Sequence, residues 1–224
     1  MTIKASRPGK LFIAGEYSVV ESGRAALVTS IDRFISVEIC KSKSSSIKSF
    51  GDKILTFKRS QNGLIFDSLD AIWAYITSAI RISEAYLSKL LEKFDEYEII
   101  VTSQMDDETG KKYGLGSSAS VTVAIIDAIF TYYRIPISDE ILFKLSALAT
   151  LENSPNNSCG DIAAIAFTGL VYYRKFDKDL VLSKKAKMSI FDLVNEKWPC
   201  LKIRRLEFPG KWSFLVGWTQ KPAS

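Results

Sequence analysis

Apolar residues in the first 40 positions come in short alternating runs: KLFIAGEYSVV, AALVTSI and FISVEIC. Alternation broken by turn-forming residues predicts strands. Residues 41–65 turn polar around one weak strand, KILTFK, and read as a hairpin excursion. Between Ser68 and Phe94, Ile72, Ile76, Ile80, Tyr86, Leu87, Leu90 and Leu91 recur at helical spacing, over one long or two broken helices. YEIIVTS (97–103) is a strand. Helical spacing returns after Gly116 in Val121, Ile125, Ala128, Ile129 and Tyr132, and again over 138–153. That last helix has a clear start, with Ser138 as cap and Asp139 and Glu140 in the first turn. DIAAIAFTG is a short helix and GLVYYRKF a strand. Residues 176–198 are mixed and polar, and LKIRRLEF and KWSFLVGWT close the chain as strands. Helices alternating with hairpins make the class α+β rather than doubly wound.

The entry to the helix after Gly116 is unusual, because Gly114, Gly116, Ser117 and Ser118 stand directly before it. One reading is a turn with a serine N-cap. Another is an anion site, where N–H groups and the positive end of a helix meet phosphate and glycine lets the backbone approach.

Composition narrows the chemistry. The chain has 224 residues, 47% hydrophobic and 25% charged, which fits one large or two small globular domains. No apolar run is long enough to span a bilayer, and MTIKASRPGK has no signal segment, so a cytoplasmic protein without a membrane partner is expected. Three cysteines at unrelated spacings argue against a disulfide framework or a zinc site. There is no histidine. Ser-His-Asp and Cys-His catalysis and histidine-ligated metals are therefore excluded. Phosphoryl transfer, which relies on positioning and electrostatics, suits the residue types that remain. The net charge of +5 lies partly in KSKSSSIKS (41–49) and SKKAKM (183–188), without interleaved aromatics. An anionic small-molecule substrate accounts for it better than nucleic acid, which is not expected as a partner.

Three polar clusters punctuate the pattern. In RPGKLFIAGEYSVVESGRAAL (7–27), Lys10 opens an apolar strand; its plain reading is a solvated strand-end lysine. The glycine–serine entry is the second. In NNSCGDIAA, Asp161 starts an Ala-rich helix, where an acid also simply favours a helix N-terminus. A strand-end lysine, a glycine–serine helix entry and a helix-start aspartate are together the parts of a phosphoryl-transfer site.

On these segments the chain resembles the GHMP superfamily of small-molecule kinases and, within it, the phosphomevalonate kinase family. The resemblance rests on PGKLFIAGEYSVVESGRAAL, TSQMDDETGKKYGLGSSASVTVA (102–124), NSCGDIAA and VGWTQKPAS. Mevalonate kinases usually carry GEH where this chain has Gly15-Glu16-Tyr17. The loop is not a P-loop, because no Lys-Ser/Thr follows its second glycine. The resemblance implies ATP with its phosphates against Gly114, Leu115, Gly116, Ser117, Ser118 and Ala119, and Mg²⁺ near the Ser117 or Ser118 hydroxyl. It implies Lys10 and Asp161 beside the transferred phosphoryl group, Lys112 and Ser158 near the acceptor's phosphate, and Tyr17 and Ser18 lining the acceptor pocket. The implied activity is ATP-dependent phosphorylation of 5-phosphomevalonate to 5-diphosphomevalonate, in the mevalonate pathway of isoprenoid synthesis. Mevalonate or another superfamily substrate is the alternative, as is a non-catalytic nucleotide-binding module. The implied fold is a ribosomal-protein-S5-domain-2-like N-terminal domain over 1–175, nearly complete. Residues 176–224 would then be a connection and the start of a ferredoxin-like C-terminal domain that is mostly missing, so the chain is expected to be truncated. A phosphate acceptor is largely dianionic at neutral pH and hardly needs a base, so Asp161 is expected to orient Lys10 or a substrate group.

Overall fold

AALVTSI and FISVEIC fold as one strand. In the computed structural model, which describes residues 2–49, 51, 53–61, 63–105, 113–208, 210 and 215–217, strand β2 runs Ala25–Lys41. Strand β1, Thr2–Ala14, lies antiparallel to it. Gly9 pairs with Ile31 and Pro8 with Phe34, so Asp32 and Arg33 are extra residues opposite the Pro8–Gly9 step. A polar pair that looks like a strand break in the sequence is thus a bulge, which bends the strand without ending it.

The other edge of β2 is shared. Residues 35–41 pair with β6 (Tyr97–Ser103) and residues 25–29 with β7 (Leu170–Arg174), both antiparallel. The sheet extends from β6 to β3 (Ser45–Ser49), which is parallel to it, and then to β4 (Lys53–Ser60) and β5 (Gly63–Phe66). The excursion after residue 41 therefore contributes three strands. From β7 the sheet extends to β8, Lys202–Leu206. Among the described residues these make one eight-stranded sheet.

Helices cover one face. They are α1 (Ala74–Leu87), α2 (Ser117–Tyr132), α3 (Asp139–Asn153) and α4 (Gly160–Phe167). The α1 helix stops at Leu87, and exposed Leu90 lies beyond it. Helix α2 packs on β1 and β2 and also against α1, α3 and α4. It is consequently buried on nearly all sides, over 119–126 and 128–130, instead of along one stripe. Its half-buried Asp127 accepts two bonds from the Arg7 guanidinium, at 3.0 and 2.9 Å, which ties the helix to β1. The stretch that reads as mixed and polar holds two short helices, α5 (Lys178–Lys185) and α6 (Ile190–Asn195). Trp198, after α6, is buried against Phe143 and Phe176.

Ser138 caps α3 as expected, its hydroxyl accepting from the Ile141 N–H at 3.2 Å. Ser138→Ala should cost about 1 kcal/mol of stability, measurable by urea unfolding. No change would mean that water serves that N–H equally well. In α1, Glu84 is 6% exposed. It takes a bidentate pair from Arg59 (3.0 and 2.7 Å) and the Tyr97 hydroxyl at 2.7 Å. A buried carboxylate needs such partners, and they lock α1 to β4 and β6.

Candidate active site

The site begins at the step from Pro8 to Lys10. The Lys10 N–H donates to the Leu115 carbonyl at 2.8 Å, so the glycine-rich loop docks on the outer edge of β1. A Cβ at Gly9 would lie 2.9 Å from that same carbonyl, which is why the close approach needs glycine there. Four residues past Gly116, the Ser120 hydroxyl donates to the Pro8 carbonyl at 2.7 Å and fixes the first turn of α2 to the strand.

Gly116 is the N-cap of α2 and sits in the left-handed region at φ 88°. No side chain caps the helix. The serine-cap reading is therefore corrected: Ser117 and Ser118 lie inside the first turn, where their hydroxyls cannot take the N-cap role. First-turn N–H groups lack intrahelical acceptors and remain available to an anion. A Cβ at Gly116 would come 2.9 Å from Lys10 Cε, so the lysine stem lies directly across the start of the helix. Its ammonium is 5.4 Å from the Phe12 ring centre.

Phe12 leads to the third cluster. A Cβ at Gly160 would be 2.9 Å from Phe12 Cζ, so the start of α4 packs on the same strand that carries Lys10. The turn before α4 is sharp, with Cys159 at φ 60° and its N–H donating to Asn157 Oδ1 at 2.6 Å. Burial pushes the Cys159 thiol well up, so it is no nucleophile. Asp161 Oδ1 accepts from the Ile162 N–H at 2.8 Å. Part of Asp161 reaches the surface, yet desolvation of its carboxyl pushes the pKa up from the ordinary value. The Lys10 ammonium opposes that rise most, followed by backbone N–H groups and the Asn157 side chain. Lys10 and Asp161 thus act on one another although no ion pair closes between them among the described contacts.

Ser158 belongs to the same turn. Its hydroxyl accepts from the Gly160 N–H at 3.4 Å, and its carbonyl accepts from the buried Tyr173 hydroxyl at 2.7 Å. Ser18 donates to the carbonyls of Gly15 (3.2 Å) and Ala25 (3.1 Å), holding its loop closed. Tyr17, on that loop, is 88% exposed. Lys112 lies outside the described residues. The geometry therefore gathers Lys10, Gly116–Ala119, Ser158 and Asp161. Sequence reasoning missed Asn157, Gly9, Gly160 and Tyr173. Only Asn157 gave a signal, as a residue prone to turning its own backbone.

The set fits a polyphosphate: an uncapped helix start, a glycine with a cation laid over it, and a carboxyl group whose charge that same cation favours. Among the described residues no three His, Cys, Asp or Glu side chains cluster to hold a metal. A Mg²⁺ ion here would take a serine hydroxyl and the phosphate oxygens themselves, which is its usual preference. No helix among the described residues is long and apolar enough to cross a membrane.

Residues 74–169 match the model for the GHMP kinases N terminal domain. The chain is 31% identical over 236 residues to the phosphomevalonate kinase of Streptomyces sp. (strain CL190), covering 100% of this chain and 63% of that protein. It superposes on a Lin0012 protein from Listeria innocua with a TM-score of 0.82 at 32% identity, covering 94% of this chain and 59% of the other. For Streptococcus pneumoniae phosphomevalonate kinase in complex with phosphomevalonate and AMPPNP, the TM-score is 0.78 at 28% identity, with 91% and 58% covered. The chain thus spans about three fifths of the length of these relatives. The sheet with its helix layer is the GHMP arrangement, and Lys10, the glycine–serine loop and Asp161 all lie on it.

Proposed function

We propose that this chain carries the nucleotide and phosphoryl-transfer machinery of a phosphomevalonate kinase, converting 5-phosphomevalonate to 5-diphosphomevalonate with ATP and Mg²⁺. The observation that carries the reading is Lys10 laid across Gly116 at the uncapped start of α2, with its charge felt by Asp161. The phosphomevalonate kinase relatives support the choice of acceptor. We assign residues 1–175 to the catalytic GHMP domain and 176–224 to a connection that here lies on the same sheet through β8. We place the protein in the cytoplasm, in keeping with its free cysteines Cys40, Cys159 and Cys200. Its partners are the two small molecules, without nucleic acid or membrane.

In this reading the first-turn N–H groups of α2 hold the nucleotide's phosphates, and Ser117 or Ser118 supplies a hydroxyl to Mg²⁺. The metal neutralises phosphate charge when bound. Lys10 places an ammonium where negative charge accumulates between donor and acceptor. Asp161 holds that ammonium in position. No base is required of it, because a phosphate monoester with its second pKa near about 6 arrives already deprotonated. Lys112 and Ser158 receive the acceptor's phosphate, and Tyr17 and Ser18 lie on its far side.

The test is acceptor-dependent ADP release with phosphomevalonate and with mevalonate. Phosphomevalonate should be preferred in kcat/KM by at least about a hundredfold, the discrimination open to a site built around a charged group that mevalonate lacks. A preference for mevalonate would overturn the assignment of substrate. ATP binding without turnover on either acceptor would favour the nucleotide-binding module.

A further inference from the structure

The loop over residues 15–24 and the turn over 155–161 come from distant parts of the chain, and both are fastened to the end of β7. Tyr173 donates to Ser158, and Lys178 Nζ reaches the Pro155 carbonyl at 3.1 Å. Lys175 grips the other loop three times. Its N–H donates to Arg24, its carbonyl accepts from Gly23 (both 2.9 Å), and its ammonium donates to the Val20 carbonyl at 2.7 Å. Lys175 is only 2% exposed. A buried ammonium is costly, and an apolar side chain of the same length would fill the space more cheaply. Its directional bond is therefore what the position uses. Val19 of the same loop is fully buried, and Gly15 at φ 82° lets the chain turn so closely that an added Cβ would lie 2.5 Å from the Ala25 carbonyl.

We propose that Lys175 is a positioning residue for the acceptor side of the site: its ammonium, bound to the Val20 carbonyl, sets the loop bearing Tyr17 and Ser18 against the turn bearing Ser158 and Asp161. The inference rests on reading the site as that of a phosphomevalonate kinase. It makes the end of β7 a bracket between two loops that must face each other across the acceptor. Lys175 touches neither nucleotide nor acceptor, so its removal should alter acceptor binding selectively.

The experiment uses the whole chain and its Lys175→Met and Lys175→Arg variants, titrated calorimetrically with phosphomevalonate and with ATP. Lys175→Met should weaken phosphomevalonate binding by about tenfold and ATP binding by less than about twofold, while Lys175→Arg, which keeps a donor, should stay within about threefold of wild type for both. Equal loss for both ligands, or no loss for either, would overturn the proposal. Hydrogen exchange on the wild-type chain gives a second arm that needs no variant: phosphomevalonate, and not ATP alone, should slow exchange over 18–25 and 173–178 together. Unchanged exchange there on acceptor binding would also overturn it. If the wild type binds no phosphomevalonate, the kinase reading itself fails. Faster exchange over 18–25 in Lys175→Met would then still support the clamp, and equal exchange would refute it.

Discussion

Replacing Lys10 by Met should lower turnover by about 10²–10³-fold, or about 2.7–4 kcal/mol of transition-state stabilisation, with ATP affinity changed by less than about threefold. Met preserves the length of the stem that lies across Gly116 and beside Phe12, so the start of α2 keeps its packing. What is removed is the charge. On the proposed reading, backbone N–H groups hold most of the nucleotide in the ground state, and those remain. The ammonium matters most as charge spreads over the transferred group, so its loss falls on kcat more than on binding. A second readout follows from its neighbour: Lys10 is the strongest influence opposing the upward push on Asp161. The Asp161 carboxyl should therefore titrate higher still in Lys10→Met, as carboxyl NMR on labelled protein would register. Unchanged turnover and an unmoved Asp161 would return Lys10 to the plain reading of a solvated strand-end lysine.

Where one signal was strong, the sequence revealed an element to the residue. YEIIVTS coincides with β6 and Asp139–Asn153 with α3, because alternation in one and a serine cap in the other leave little freedom. Where two signals compete, sequence reading fails. Asp32-Arg33 reads as a break because a bulge and a turn look alike until the partner strand is known. Helices α5 and α6 span 8 and 6 residues and bury only Val181 and the Leu193–Val194 pair. Helical periodicity cannot emerge over so short a window, although their caps, Asp177 and Ser189, were visible in retrospect. Of KWSFLVGWT only 215–217 are described, and these are not in a strand. In the candidate site, the residues that the structure brings together were legible as Lys10, the glycine–serine entry and Asp161. Their supports were not. Gly9 and Gly160 matter through the atoms that a Cβ would strike, and Asn157, Tyr173 and Lys175 through bonds to backbone groups of other segments. Contacts of that kind leave no periodicity and no motif.

Asp161→Asn should separate function from stability by moving them in opposite directions. Two views of this residue are available. If Asp161 serves mainly as an acid in the first turn of α4, the helix dipole favours its charge, and Asn should weaken the fold by about 0.3–1 kcal/mol. If it is a desolvated carboxylate kept for Lys10 and the reacting groups, its charge is a burden that the fold tolerates. The direction of its pKa favours the second view, since burial outweighs every group that stabilises the anion. A carboxyl whose folded-state pKa is raised binds its proton more tightly folded than unfolded. Its favourable contribution is complete below the ordinary carboxylate pKa of about 3.9 and is lost as pH rises through the raised value. At neutral pH the ionised group therefore costs stability, and neutral Asn, which still accepts from the Ile162 N–H through its carbonyl, removes that cost. The melting temperature of Asp161→Asn should accordingly exceed that of wild type at neutral pH, with the gain shrinking as pH falls through the raised value and gone only below the ordinary carboxylate pKa of about 3.9. Turnover should fall by at least about tenfold, because Lys10 loses the anion that holds it in place. Thermal melts at the two pH values, run beside the ADP-release assay, decide between the views. A lower melting temperature at neutral pH with turnover intact would make Asp161 a helix-start residue and leave Lys10 to act without it.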